Sequence, residues 1–229
     1  ISSFKAINKL KWIIGSGKVG HAGTLDPIAE GLLIVMINNA TKFSDNLMKR
    51  DKEYFVELEL GYETATYDTE GEITEKYEGN LNISDEKILE VINSFTGEIM
   101  QVPPMYSAIK INGEKLYELA RKGIEVEREA RKVKIYSIRE IHVENKGKCR
   151  ISFYTEVSSG TYIRSLVRDI GRKLGVYATM TRLVRTKIDR YSIEESVLLE
   201  EIEEKLAEGK EAPKENINED ISDNTEKVK

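Results

Sequence analysis

The chain has 229 residues, 40% of them hydrophobic, and a formal net charge of −5. This length allows one large domain or two small ones and a core that needs neither disulfide nor metal. A single cysteine, Cys149, excludes an intramolecular disulfide and a multi-cysteine zinc site. The two histidines, His21 and His142, lack ligand spacing. No apolar run reaches bilayer length and no signal peptide is visible, so a soluble protein of the reducing cytoplasm is expected. The first residue is Ile1 rather than Met, and a few native N-terminal residues are expected to be missing.

Phe4, Ile7, Leu10 and Ile14 recur at helical spacing in residues 3–14, and Gly15 and Gly17 end that helix. Residues 32–37 form an apolar run of strand length, and 41–49 read as helix. In residues 54–60, Tyr54, Val56, Leu58 and Leu60 alternate with Phe55, Glu57 and Glu59, which predicts a strand. Residues 61–72 are a polar loop rich in turn formers. Ser84 reads as the N-cap of a helix running to about Phe95, with Ile88, Leu89, Ile92 and Phe95 inward. Residues 101–130 read as an irregular, basic excursion with a short helix at 114–122, and strands follow at 131–144 and 150–157. Thr161 is the expected cap of the next helix. Its apolar stripe is Ile163, Leu166, Val167, Ile170 and Leu174, with Arg164, Arg168 and Arg172 on another face and Gly175 as the stop. The irregular order of helices and strands argues against a doubly wound fold and for an α/β (α+β) domain with a mixed, largely antiparallel sheet.

Within KVGHAGTLDPIAEGLL (18–33), Asp26 follows two glycines and precedes Pro27. A residue before proline is pushed out of the helical region, and Gly20 and Gly23 permit close backbone approach. Such a loop presents a carboxylate as a nucleophile or base presents it. Asp-Pro is equally common as plain turn punctuation, and the dipeptide alone favours that reading. Charge is uneven along the chain. Residues 1–100 hold 10 Lys/Arg against 17 Asp/Glu, residues 101–190 hold 20 against 10, and residues 191–229 hold 5 against 13. A basic middle in an acidic chain points to a polyanionic partner, or to no more than an unevenly solvated surface.

GHAGTLDPIAEGLL resembles the signature of the tRNA pseudouridine-55 synthase family, the bacterial relatives of dyskerin. NNATKF (38–43), DKEYFVELELG (51–61), TATYDTEG (64–71), VPPMYSAIKINGEKLYELARKGIEVEREAR (102–131) and SSGTYIRSLVRDIGRKLG (158–175) resemble further blocks of that family, in family order. The resemblance implies the pseudouridine synthase fold over residues 1–198, with an RNA-gripping insertion at about 101–131. It implies isomerisation of uridine 55 in the T loop of tRNA without cofactor or metal, by a protein that works as a monomer.

By the same resemblance Asp26 is the catalytic aspartate, acting at C1′ as nucleophile or at C2′ as base. Arg164 is its ion-pair partner, and Tyr54 packs on the target uracil. Tyr162 and Leu183 line the pocket, and His21 stacks in the opened T loop. Lys110, Lys115, Arg121, Lys122, Arg128, Arg131 and Lys132 are the candidate RNA contacts, meeting the T-arm stem-loop through its phosphates and shape. In place of the family's small C-terminal RNA-binding module stands an acidic segment at 199–229, expected to be disordered and most clearly so after Ala207. The family's N-terminal Lys-Pro segment is also absent. Two other activities stay open. One is an RNA-binding or RNA-folding protein without catalysis. The other is a glycosidic-bond hydrolase, for which Glu30 is the nearby second carboxylate.

Overall fold

Ser2 opens the first helix, α1 (Ser3–Ile14), by accepting the Lys5 amide on its hydroxyl at 3.3 Å, and Gly15 closes it in the left-handed region. The structure, a computed structural model, describes residues 1–15, 17–146 and 148–207. The apolar stripe expected on α1 is only partly used: Leu10 is buried, but Phe4 is 73% exposed. The inward side of this helix is spent instead on a polar tie, with Ser3 Oγ accepting the Leu25 amide at 3.0 Å.

The chain continues through β1 (Val19–His21), β2 (Ala29–Gly31) and β3 (Val35–Ile37), then a 3-10 turn (Asn38–Phe43) and α2 (Ser44–Met48). The strand expected at 32–37 is shortened because the Leu32 amide still bonds to Arg185 O at 2.8 Å, holding that residue to a different strand. Next come β4 (Lys52–Leu60), a hairpin of β5 (Tyr62–Thr64) and β6 (Ile73–Lys76), and α3 (Asp85–Asn93). The polar segment 61–72 thus contains a strand and is not all loop. Ser84 caps α3 through the Lys87 amide, and Ile88, Val91 and Ile92 are its buried residues. Then follow β7 (Gly97–Gln101), a small hairpin of β8 (Lys110–Ile111) and β9 (Glu114–Lys115), and α4 (Leu116–Arg121). Strands β10 (Arg131–Lys146) and β11 (Lys148–Val157), helix α5 (Ile163–Leu174), and strands β12 (Ala178–Ile188) and β13 (Tyr191–Ser192) complete the body.

Seven strands make the central sheet. Its order is β13-β12-β4-β11-β10-β7, antiparallel throughout, with β2 added in parallel to β12. The sheet is therefore mixed and largely antiparallel, with helices against it. Strand β12 has no counterpart in the pattern read from the sequence. Val56, Leu58, Ile151, Phe153 and Met180 of the sheet pack with Ile88 and Ile92 of α3 and with Leu166, Val167 and Ile170 of α5 as one core. Met105, Leu116 and Leu119 form a separate small cluster in the segment 101–131.

Thr161 is not the cap of α5. Tyr162 holds that position, and the Thr161 hydroxyl lies 3.3 Å from the Ser158 hydroxyl instead. A second unit begins at Ser196; residues 196–207 are its described part, and α6 (Leu199–Ala207) lies within it. Residues 199–207, expected to belong to a disordered tail, are therefore helical. The run LEEIEEKLA consists of strong helix formers. The rest of that expected tail, 208–229, lies outside the described residues. Among the described residues, no helix is long and apolar enough to cross a membrane.

Candidate active site

The segment between β1 and β2 carries Asp26. The Ala29 amide closes a turn on Asp26 O at 2.9 Å, and the Leu25 amide is held by Ser3. Beyond the turn, β2 runs beside β12, with Leu183 opposite Ala29 and Arg185 opposite Gly31. Gly31 has φ +100°, and a Cβ there would stand 2.4 Å from Arg185 O. Only glycine lets the loop seat this closely.

Arg164 reaches that loop from the first turn of α5. Its Nε donates to Asp26 Oδ2 at 2.8 Å and its Nη2 to Asp26 Oδ1 at 3.0 Å, a two-point pairing that fixes the carboxylate plane. Nη1 also donates to Thr66 O at 3.1 Å, and Nη2 to Tyr106 O at 2.9 Å. The arginine side chain is 5% exposed, whereas that of Asp26 is 36% exposed. The cation is thus locked inside while the acid it orients stays open to a ligand. Its place on a helix with two other arginines does not make it a surface residue. Arg168 is buried too, donating to Val102 O at 3.2 Å, and only Arg172 of the three stands out, paired with Glu63 at 2.6 Å.

Tyr54 lies on β4 directly opposite Arg185 of β12. It packs against the main core and is partly buried. Burial of the hydroxyl raises its pKa above the ordinary tyrosine value, against the hydrogen-bonding, positively charged Arg185. Tyr162, ahead of α5, is pinned by its backbone: its amide donates to Gln101 Oε1 at 2.8 Å, and Gln101 Nε2 donates to its carbonyl at 3.1 Å. Burial also raises the Tyr162 pKa, opposed by the neighbouring Ser107 hydroxyl and by the positive charges of Arg131 and Arg164. The Asp26 charge acts on both phenols. Leu183 is buried beside Ala29 of the loop strand. His21 ends β1 opposite Val35, and its buried Nδ1 has no hydrogen-bond partner among the described residues. The structure thus brings Asp26, Arg164, Tyr54, Tyr162 and Leu183 together, while His21 stands on the neighbouring ribbon.

The basic candidates differ among themselves. Lys122 pairs with Glu114 at 2.9 Å, and Lys115 with Glu118 at 3.9 Å. Arg128 bonds to Pro103 O and Glu125, and Lys132 pairs with Glu98 at 2.7 Å. Arg121 stacks on the Tyr117 ring at 5.4 Å. Among the described residues, no carboxylate lies within ion-pair distance of Lys110, Arg121 or Arg131.

Two site residues escaped the sequence reading. Asp68 is 3% exposed, with Oδ2 3.6 Å from Arg164 Nε. Its Oδ1 accepts from Thr66 Oγ1 at 2.5 Å and from the Glu70 amide at 3.0 Å. The threonines spaced before it in TATYD were the available signal. Arg185 is 1% exposed, and its Nε donates to Leu32 O at 2.8 Å. An arginine inside RLVRTKI carries no periodic signal. Glu30, by contrast, is exposed and faces Arg182 at 3.7 Å.

The family model described as TruB family pseudouridylate synthase (N terminal domain) matches residues 11–163. A second, tRNA pseudouridylate synthase B C-terminal domain, matches residues 164–223. The junction of the two falls within the first turn of α5, so β12 of the central sheet lies under the second model. The tRNA pseudouridine synthase B of Clostridium tetani is 52% identical over 204 residues, covering 89% of this chain and 69% of the relative. That of Aquifex aeolicus is 47% identical over 201 residues, with 88% and 69% covered. Among solved structures, a chain of a Cbf5-Nop10-Gar1 complex superposes with TM-score 0.67 at 30% identity, over 92% of this chain and 53% of that one. A chain of an H/ACA RNP bound to a substrate RNA containing 2'-deoxyuridine gives TM-score 0.62 at 26% identity, over 91% and 52%. The chain spans about half the length of those two solved chains.

Proposed function

The chain belongs to the TruB family of pseudouridylate synthases, and we propose that it isomerises uridine 55 in the T loop of tRNA to pseudouridine. The observation that carries this reading is the two-point pairing of buried Arg164 with partly exposed Asp26. A carboxylate held this way is aimed by a fixed cation, which both candidate roles require: attack at C1′ or proton removal at C2′. The N1–C1′ bond breaks, the uracil turns, C5 bonds to C1′, C5 loses its proton and N1 gains one. Substrate and product are isomers, so no electrons are exchanged with a partner. Tyr54 supplies the ring against which the detached uracil rotates, and Tyr162 and Leu183 close the pocket around it.

A uridine in a folded T loop reaches Asp26 only after flipping, at a cost of a few kcal/mol. His21, on the ribbon leading into the Asp26 loop, is placed to stack where the base was. Lys110, Arg121 and Arg131 are the favoured RNA contacts because no ion-pair partner stands beside them among the described residues, while Lys115 and Lys122 must first release a glutamate. We assign the catalytic domain to residues 1–198 and expect it to act as a monomer on the T arm, in the cytoplasm.

A protein that only bound RNA would have no use for an arginine withheld from solvent to orient a single acid. A hydrolase needs a second carboxylate as proton donor at the sugar. Glu30 is turned to solvent and held toward Arg182, and Asp68 is buried next to Arg164. The test is to incubate unmodified tRNA with the protein and map pseudouridine by position. Modification at T-loop position 55 is expected. Modification elsewhere would overturn the substrate, and release of free uracil would overturn the chemistry.

A further inference from the structure

We infer that Arg185 is a positioning residue for this reaction, a buried guanidinium that sets the Asp26 loop and the Tyr54 ring relative to one another. The inference rests on the reading of the site given above. Arg185 lies on β12 between two strands, with Gly31 of β2 opposite it on one side and Tyr54 of β4 opposite it on the other. Its side chain spans the loop: Nε donates to Leu32 O at 2.8 Å, after Asp26, and Nη2 to Gly23 O at 3.2 Å, before it. Its own carbonyl accepts the Leu32 amide at 2.8 Å. The Tyr54 hydroxyl is its third neighbour, and the Asp26 charge acts on it without contact.

The chemistry of the position favours function over packing. Arg185 is among the largest fully buried side chains, and among the described residues no carboxylate pairs with it. A buried cation without a paired acid is costly, and an apolar residue of similar volume at such a site is often neutral or stabilising. What an apolar residue cannot do is satisfy two loop carbonyls and orient a phenol at once. A guanidinium does so because its donors form a rigid fork. Arg164 therefore fixes the acid from the side of α5, and Arg185 fixes the loop that carries the acid from the side of the sheet.

Arg185→Met and Arg185→Lys test this, with folding, tRNA affinity and single-turnover pseudouridine formation at saturating protein measured separately. We expect Arg185→Met to bind tRNA within about threefold of the native protein and to lose about 100-fold in rate, the usual scale for a slightly misplaced reacting group. Arg185→Lys recovers part of that loss, to within about tenfold of the native rate. Tyr54→Phe should cost less in the Arg185→Met background than alone, because the two residues act through one contact. A rate for Arg185→Met within about threefold of native overturns the inference, as does a loss confined to affinity or a Tyr54→Phe penalty that is unchanged. If Arg185→Met does not fold, the lysine variant is held to the same criteria. If neither folds where the native chain does, Arg185 is a fold determinant and the inference fails. Native protein that makes no pseudouridine, or Asp26→Asn that still makes it, sinks the functional reading. An active native chain, an inactive Asp26→Asn and a fully active Arg185→Met sink the Arg185 assignment alone.

Discussion

The loop around Asp26 and the segment 101–131 both carry charge, but they hold it differently. At the loop, Arg164 is 5% exposed and each of its nitrogens has an oxygen partner at a defined distance. In the segment 101–131, Lys122 and Glu114 meet at 2.9 Å with more than half of each side chain in solvent, and among the described residues Lys110 has no acid within ion-pair distance. Surface pairs of this kind contribute about 0–1 kcal/mol and exchange partners readily. In the proposed reaction the carboxylate needs one orientation, which suits a counter-ion that is buried and shared with backbone carbonyls. In the proposed RNA contact a polyanion is met by many weak contacts, for which cations free to adjust are suited. The two regions meet where Arg164 Nη2 also holds Tyr106 O, and again where Gln101 grips the Tyr162 backbone.

The contrast can be broken most forcefully at Arg164. Arg164→Met should lower the single-turnover rate by about 10²–10³-fold, the scale for losing one fixed electrostatic donor, with little change in tRNA affinity. It should also cost about 3–5 kcal/mol in urea unfolding, because buried Asp68 loses its neighbouring cation. Gly31→Ala comes next. Its φ of +100° and a Cβ 2.4 Å from Arg185 O should cost about 1–3 kcal/mol and slow the reaction by unseating the Asp26 loop. A denaturation midpoint and a rate measured together check it. Lys110→Ala, Arg121→Ala and Arg131→Ala should each weaken tRNA binding a few-fold and reduce the slope of log affinity against log salt by about 1, at unchanged saturated rate. A tenfold drop in saturated rate from any of the three would erase the distinction between the regions. Ser84→Ala is the smallest change, about 1 kcal/mol from the lost cap of α3, with rate and affinity unaltered.

Elements whose residues follow one rule were readable from the sequence. Val56, Leu58 and Leu60 of β4 are buried as the alternation predicts although Glu59 between them is buried too, α3 begins at a serine that does cap it, and the apolar stripe of α5 is buried together with Arg164 and Arg168. Asp26 was readable because glycines and Pro27 mark a shaped loop, and Arg164 because a family block surrounds it. Strand β12 was not readable, for a physical reason. Irregularities between Met180 and Arg182 and between Arg185 and Lys187 break its two-residue period, and one of its buried residues is an arginine. Thr161 looked like a cap because its hydroxyl is the right chemistry, yet the start of α5 is set by Gln101 gripping the Tyr162 backbone from a distant strand. Asp68 was missed for the same reason as Arg185, since each is defined by a partner far away in the chain. Phe4 fits a helical stripe, but α1 meets the body through Leu10 and Ser3 and leaves it outside.

The most direct test of the account is Asp26→Asn assayed on unmodified tRNA beside the native chain, with pseudouridine mapped by position and binding measured in parallel. The substitution keeps the size and a hydrogen-bonding oxygen for Arg164 but removes the charge. Pseudouridine at T-loop position 55 is expected from the native chain and none from Asp26→Asn, with equal tRNA binding by both. Pseudouridine made by Asp26→Asn at a rate near native would contradict this expectation.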